Sequence, residues 1–122
     1  MDFCKAFEAI ARNCKSDEFG VYVISTNEST SVREFAQEAF RVAGYNQTNW
    51  VGQGLAEKLV SLNGQVLVEV NSEYFRPGEV PYLKGTSTKI KNEFGWSPQT
   101  SWKQIASEMV KYDLDNYIYA KL

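Results

Sequence analysis

Histidine is absent from all 122 residues, and cysteine occurs only twice, at Cys4 and Cys14. Without an imidazole the chain cannot supply a serine–histidine–aspartate triad, a histidine-ligated zinc site or a histidine general base. Two thiols at that spacing are too few for a tetrahedral thiolate site and match no redox motif. They read as small hydrophobes on one helix. No apolar run approaches the roughly 20 residues that span a bilayer, and the start MDFCKAFEAI lacks the charged-then-apolar build of a signal peptide. The expectation is a cytoplasmic protein in a reducing compartment, where Asn27-Glu28-Ser29 and Asn46-Gln47-Thr48 carry no glycosylation meaning. There is no basic surplus either: 13 Lys and Arg stand against 15 Asp and Glu, a formal charge of -2. Gross electrostatics therefore favour neither nucleic acid nor an anionic membrane as partner.

What is present suits an ordinary folded domain. Hydrophobic residues make up 43% and charged residues 23%, near globular averages, and the length suits one domain over 1–122 with one core. Phe3, Phe7, Ile10 and Cys14 recur at helical spacing and predict an amphipathic helix over about 2–15. Val21 to Ile24 is short and β-branched, which predicts a buried strand. Ser31 and Glu34 form a capping box ahead of a face of Phe35, Ala36, Ala39, Phe40 and Ala43, with Gly44 as the stop. Asn49 to Val51 reads as a short strand and Gly52-Gln53-Gly54 as a turn. Leu55 to Leu62 is either one helical turn or an ordered loop. Gln65 to Val70 predicts a strand after an Asn63-Gly64 turn. Arg76-Pro77-Gly78 breaks regularity. Ser87 to Glu93 predicts a short helix ending at Gly95. Ser101 and Gln104 cap a last helix whose buried side would be Trp102, Ile105, Met109, Tyr112 and Leu114. The fold class is mixed α/β of the α+β kind, with strands too few and too scattered for a doubly wound sheet.

Few patterns carry chemistry. Gly52-x-Gly54 lacks the third glycine of a dinucleotide fingerprint, and no acidic residue follows a strand at the right distance. Tyr117-x-x-x-Lys121 matches the tyrosine–lysine spacing of short-chain dehydrogenases but sits at the chain end, where a chance match is the better reading. Arg33, two residues past the cap, can join helix-end amides in facing an anion. Arg76 stands in a stiff loop after a strand, so little freedom is lost when it binds. Glu79 follows closely enough to orient Arg76 or to accept hydroxyl protons from a sugar. The competing reading of each charge is a solvated surface residue.

Ser31-Val-Arg-Glu-Phe35 after Val21-Tyr-Val-Ile-Ser-Thr26, then Tyr74-Phe-Arg-Pro-Gly-Glu-Val80, then Gly95-Trp-Ser-Pro-Gln-Thr-Ser-Trp102, resemble the GDP-mannose 4,6-dehydratase family. The arginine-proline loop and the glycine-tryptophan segment mark the extended short-chain dehydrogenase/reductase superfamily. The Val-Arg-Glu-Phe helix and the insert Trp50-Val-Gly-Gln-Gly…Glu57-Lys58…Val68-Glu-Val70 narrow it to the GDP-mannose enzymes. The resemblance runs from about residue 2 to 116 and covers the last third or so of such an enzyme, its small substrate-binding domain without the Rossmann cofactor domain. It implies a lyase reaction on the way to GDP-fucose, in which NADP oxidises the mannosyl C4, water leaves across C5 and C6, and the hydride returns to C6. It also implies a nucleotide-sugar pocket holding Arg33, Arg76 and Glu79, with GDP-mannose or a related nucleotide sugar as ligand.

No catalytic residue, no metal site and no NADP site is expected in this chain alone. It reads as a truncated or split portion, inactive by itself, whose uncovered face favours a partner chain carrying the cofactor domain, or self-association. The alternative is a non-catalytic interaction module that kept the fold and lost the ligand. Two departures from the family pattern stand out: Thr26-Asn27-Glu28 replaces Thr-Gly-Glu, and Gly85-Thr86 replaces Gly-Asp. The first bears on a turn and the second on the cap of the following helix.

Overall fold

The computed structural model describes residues 2–13 and 20–119. Cys14, the far end of the first predicted helix and Lys121 lie outside them. The architecture is mixed α+β: helices α1 (Asp2–Asn13), α2 (Val32–Val42), α3 (Thr88–Phe94) and α4 (Trp102–Tyr119), and strands β1 (Thr48–Val51), β2 (Lys58–Ser61) and β3 (Val66–Glu69). No helix among the described residues is long and apolar enough to cross a membrane. The chain divides into two compact units, one made of residues up to Thr30 with Pro81–Ser101, the other of Ser31–Val80 with the chain from Trp102 onward.

In the first unit α1 packs on α3 around Ala6, Ile90 and Trp96, with Ala9, Ile10, Tyr22, Ile24 and Phe94 against them. The predicted Phe3–Phe7 stripe of α1 does not form the core face: these rings are 49% and 62% exposed, while Ala6 is fully buried. Small alanines let the two helices approach, and Ala6 and Ala9, three apart, recur at helical spacing just as Phe3 and Phe7 do at four. The Asp2 carboxylate accepts the backbone N–H groups of Gln99 (2.8 Å) and Thr100 (2.7 Å), and the Asp2 carbonyl accepts the Trp96 indole N–H at 3.1 Å.

Val21–Ile24 is not a strand, a correction to the pattern reading. No other segment of this unit among the described residues is a strand that could pair with it, and Val21 is 88% exposed. Asn27 holds a left-handed backbone at φ 60°. Its Oδ1 accepts the Ser87 N–H at 2.7 Å and its Nδ2 donates to Ser87 Oγ at 2.6 Å. Asparagine tolerates that region better than most side chains, so the turn expected at a glycine survives. Ser87, the N-cap of α3, makes no side-chain cap bond, and Gly95 ends the helix at φ 70° with its N–H on Lys91 O.

In the second unit the capping box forms as predicted. Ser31 Oγ accepts the Glu34 N–H (3.1 Å) while Glu34 Oε2 accepts the Ser31 N–H (2.8 Å). The sheet order is β1-β2-β3, antiparallel throughout, with Asn49 opposite Val60 and Lys58 opposite Glu69, and an irregularity between Leu59 and Val60. The central strand β2 thus falls where the pattern offered a helical turn or loop. Of that stretch only Leu55 and Ala56 are helical, in a single turn that starts at Gly54. Leu59 on β2 and Ala106 on α4 are fully buried. α4 packs on α2, with Phe35 and Trp102 rings 6.4 Å apart. Of its predicted buried side only Trp102 is half-buried; Ile105, Met109, Tyr112 and Leu114 are 38%, 54%, 68% and 45% exposed.

Candidate functional site

The loop after β3 is shaped by its own polar groups. Asn71 Oδ1 accepts the Glu73 N–H at 2.9 Å, and the Asn71 carbonyl accepts the Tyr74 N–H at 3.1 Å, turning the chain at the strand's end. Proline at 77 then limits the backbone beyond Arg76. The result is a concavity of about 420 Å³ walled by Glu69, Val70, Asn71, Tyr74, Phe75, Arg76 and Glu79. Arg76 and Glu79 share this wall without pairing: among the described residues neither makes an ion pair. A permanent fork of donors and a carboxylate acceptor therefore face the same open space.

Arg33 is not on that wall. Its Nε–H donates to Glu57 Oε1 and its Nη2–H to Glu57 Oε2 at 2.8 Å, a two-bond ion pair across 24 residues. The guanidinium is 60% exposed and the carboxylate 14%. Hydrogen bonding to Arg33, reinforced by its charge, holds the Glu57 carboxyl below the usual range, and the same bonds push Arg33 higher. The Glu57 carbonyl in turn accepts the Val70 N–H at 3.3 Å. Glu57 thus links the first turn of α2 to the strand end that opens the Arg76 loop. Helix-end amides contribute less to an anion site than the pattern allowed, because the Glu34 amide is already taken by Ser31.

Sequence reasoning missed Glu57 as a partner of Arg33. The signal was there only as part of the insert that marks the family; no local period connects residues 24 apart. A larger concavity of about 630 Å³, lined in part by Gln37, Glu38, Arg41, Tyr45, Trp102 and Lys103, holds none of the predicted site residues. Its polar groups are turned on one another. Arg41 donates twice to Glu38 (2.8 and 2.7 Å), Gln37 donates to the Thr48 carbonyl at 3.0 Å, and Lys103 lies over the Trp102 ring.

The Gly52-x-Gly54 turn does not fit the diphosphate of a nicotinamide dinucleotide. In the dinucleotide-binding motif the diphosphate sits against backbone N–H groups at a glycine-lined gap before a helix. Gly52 instead has Ala56 O at 2.2 Å from the position a Cβ would take, so the gap is filled by a carbonyl acceptor that would repel phosphate. Among the described residues no group of three or more cysteine, aspartate or glutamate side chains could hold a metal ion.

The family model described as GDP-mannose 4,6 dehydratase matches residues 1–109. A GDP-mannose 4,6-dehydratase from Sinorhizobium fredii is 41% identical over 102 residues, covering 83% of this chain and 29% of the relative. A GDP-mannose 4,6 dehydratase from Drosophila melanogaster is 39% identical over 95 residues (77% of this chain, 24% of the relative). One from Homo sapiens is 33% identical over 115 residues (93% and 30%). The chain thus spans less than a third of the length of each of these relatives.

Proposed function

This chain belongs to the GDP-mannose 4,6-dehydratase family, and on that premise we propose that it is the substrate-domain part of such an enzyme, built to hold the nucleotide sugar. The reading takes 1–122 as one substrate-binding portion from the C-terminal end, located in the cytoplasm. The observation that carries it is Arg76, exposed and without an ion-pair partner among the described residues, on one wall with Glu79. A diphosphate places paired oxygens where a guanidinium fork can meet two of them, and sugar hydroxyls donate to a carboxylate such as Glu79. Arg33 supplies a second cation in the same unit. NADP, which the family chemistry uses for hydride transfer, is assigned to no residue of this chain.

The chain alone should bind GDP-mannose without converting it. Calorimetric titration tests the binding, with Arg76→Ala as the control expected to lose at least tenfold in affinity; no heat with the wild type overturns the reading. Incubation with GDP-mannose and NADP should yield no 4-keto product, and formation of that product would overturn the expectation that the chain is inactive alone. A second reading, an interaction module without ligand, is favoured by the exposed Ile105, Met109 and Tyr112 along α4. It predicts a larger species in size-exclusion chromatography and indifference to GDP-mannose.

A further inference from the structure

The Arg33–Glu57 pair has a definite handedness of use. Guanidinium carries five N–H donors. The bonds to Glu57 take Nε–H and one Nη2–H, the side-on edge, leaving both Nη1 hydrogens and the second Nη2 hydrogen. Among the described residues no acceptor takes these three, and the side chain is 60% exposed while its partner is 14% exposed. The shielded carboxylate thus anchors one edge and presents the end-on edge outward. The anchor is itself fixed at both ends, because Glu57 also binds Val70 through its carbonyl.

We propose that Glu57 is a positioning residue that holds Arg33 side-on so that its end-on fork binds a phosphate of a nucleoside diphosphate. The proposal rests on the nucleotide-sugar reading above. Arginine has much side-chain freedom to lose on binding, and a guanidinium already held in place loses less. The opposing effect, repulsion between Glu57 and the incoming anion, is weakened by solvent at so exposed an edge. Ordering therefore outweighs repulsion, and removing the carboxylate should weaken anion binding.

The test titrates the full chain and its Glu57→Gln and Arg33→Lys variants with GDP-mannose and, separately, inorganic pyrophosphate. Arginine Nε–H signals are followed by NMR, the Arg33 signal being assigned by its loss in Arg33→Lys. Glu57→Gln should bind both ligands about tenfold more weakly and lose the exchange-protected Arg33 Nε–H signal, with an unchanged circular dichroism spectrum. Arg33→Lys keeps the charge but not the fork; it should show the same loss and stands in if Glu57→Gln fails to fold. Unchanged or tighter binding in the folded variants overturns the proposal, tighter binding making Glu57 a competitor for Arg33. Pyrophosphate binding that depends on Glu57, with GDP-mannose silent, removes the nucleotide-sugar reading and leaves the positioning role intact. Silence of the wild type toward both ligands removes both.

Discussion

Replacing Asn27 by alanine removes two hydrogen bonds and leaves a Cβ-bearing residue at φ 60° with no side-chain bond to hold it. Ser87 is 1% exposed, so its amide would lose its Asn27 acceptor inside the fold. An orphaned buried amide costs about 1–2 kcal/mol, and the bond to the hydroxyl contributes about 1 kcal/mol. The left-handed backbone adds about 1 kcal/mol for alanine relative to glycine. The expected loss is about 3 kcal/mol for Asn27→Ala and about 2 kcal/mol for Asn27→Gly. At about 4 °C per kcal/mol for a chain of this size, the alanine variant should melt roughly 12 °C lower, read by circular dichroism at 222 nm. Asn27→Asp retains the acceptor for the Ser87 amide and can accept from its hydroxyl; it should stay within about 0.5 kcal/mol at neutral pH. Adding Thr86→Asp to Asn27→Gly should recover part of the loss, because a carboxylate returns to the start of α3. Glycine and alanine variants both melting with the wild type would refute the reasoning.

Leu59 fills the centre of the sheet unit, so Leu59→Ala should cost about 2–5 kcal/mol in urea unfolding. The Asp2 and Glu57 carboxyls are held below their ordinary values of 3.8 and 4.5, Asp2 by backbone N–H bonds and Glu57 by Arg33. Their contribution is present above the unfolded values and lost as pH falls through the folded ones. The urea midpoint should hold from pH 7 to about 5 and drop below about 4, and Glu57→Gln should make that drop shallower. Met109 is 54% exposed, so Met109→Lys should leave stability within about 0.5 kcal/mol. The same variant should reduce any self-association seen by size-exclusion chromatography.

Local signals were legible in the sequence. The Ser31–Glu34 box, the Gly95 stop and the Asn63-Gly64 turn each depend on residues within four positions, and each appears as read. Strand β2 was not legible: Lys58-Leu-Val-Ser is only four residues long, and Leu-Ala-Glu before it suits a helix. Nor was the choice of face on α1 or α4, where two apolar stripes compete and the partner decides. Val21–Ile24 shows the converse failure, a strand composition without a neighbour to bond. That Arg76 and Glu79 share one wall was foreseeable because they lie in one loop. The grip of Glu57 on Arg33 depends on how α2 and the hairpin fold up, which no spacing announces.

The first unit is assembled from two stretches separated by the whole of Ser31–Val80, and the polypeptide passes between units three times. A single protease nick anywhere in that intervening segment would put the two halves of the first unit on different molecules. Their reunion would then depend on concentration, where before it was a matter of loop closure within one tether. Damage to the hairpin loops would thus be felt also in a part of the protein that contains none of them.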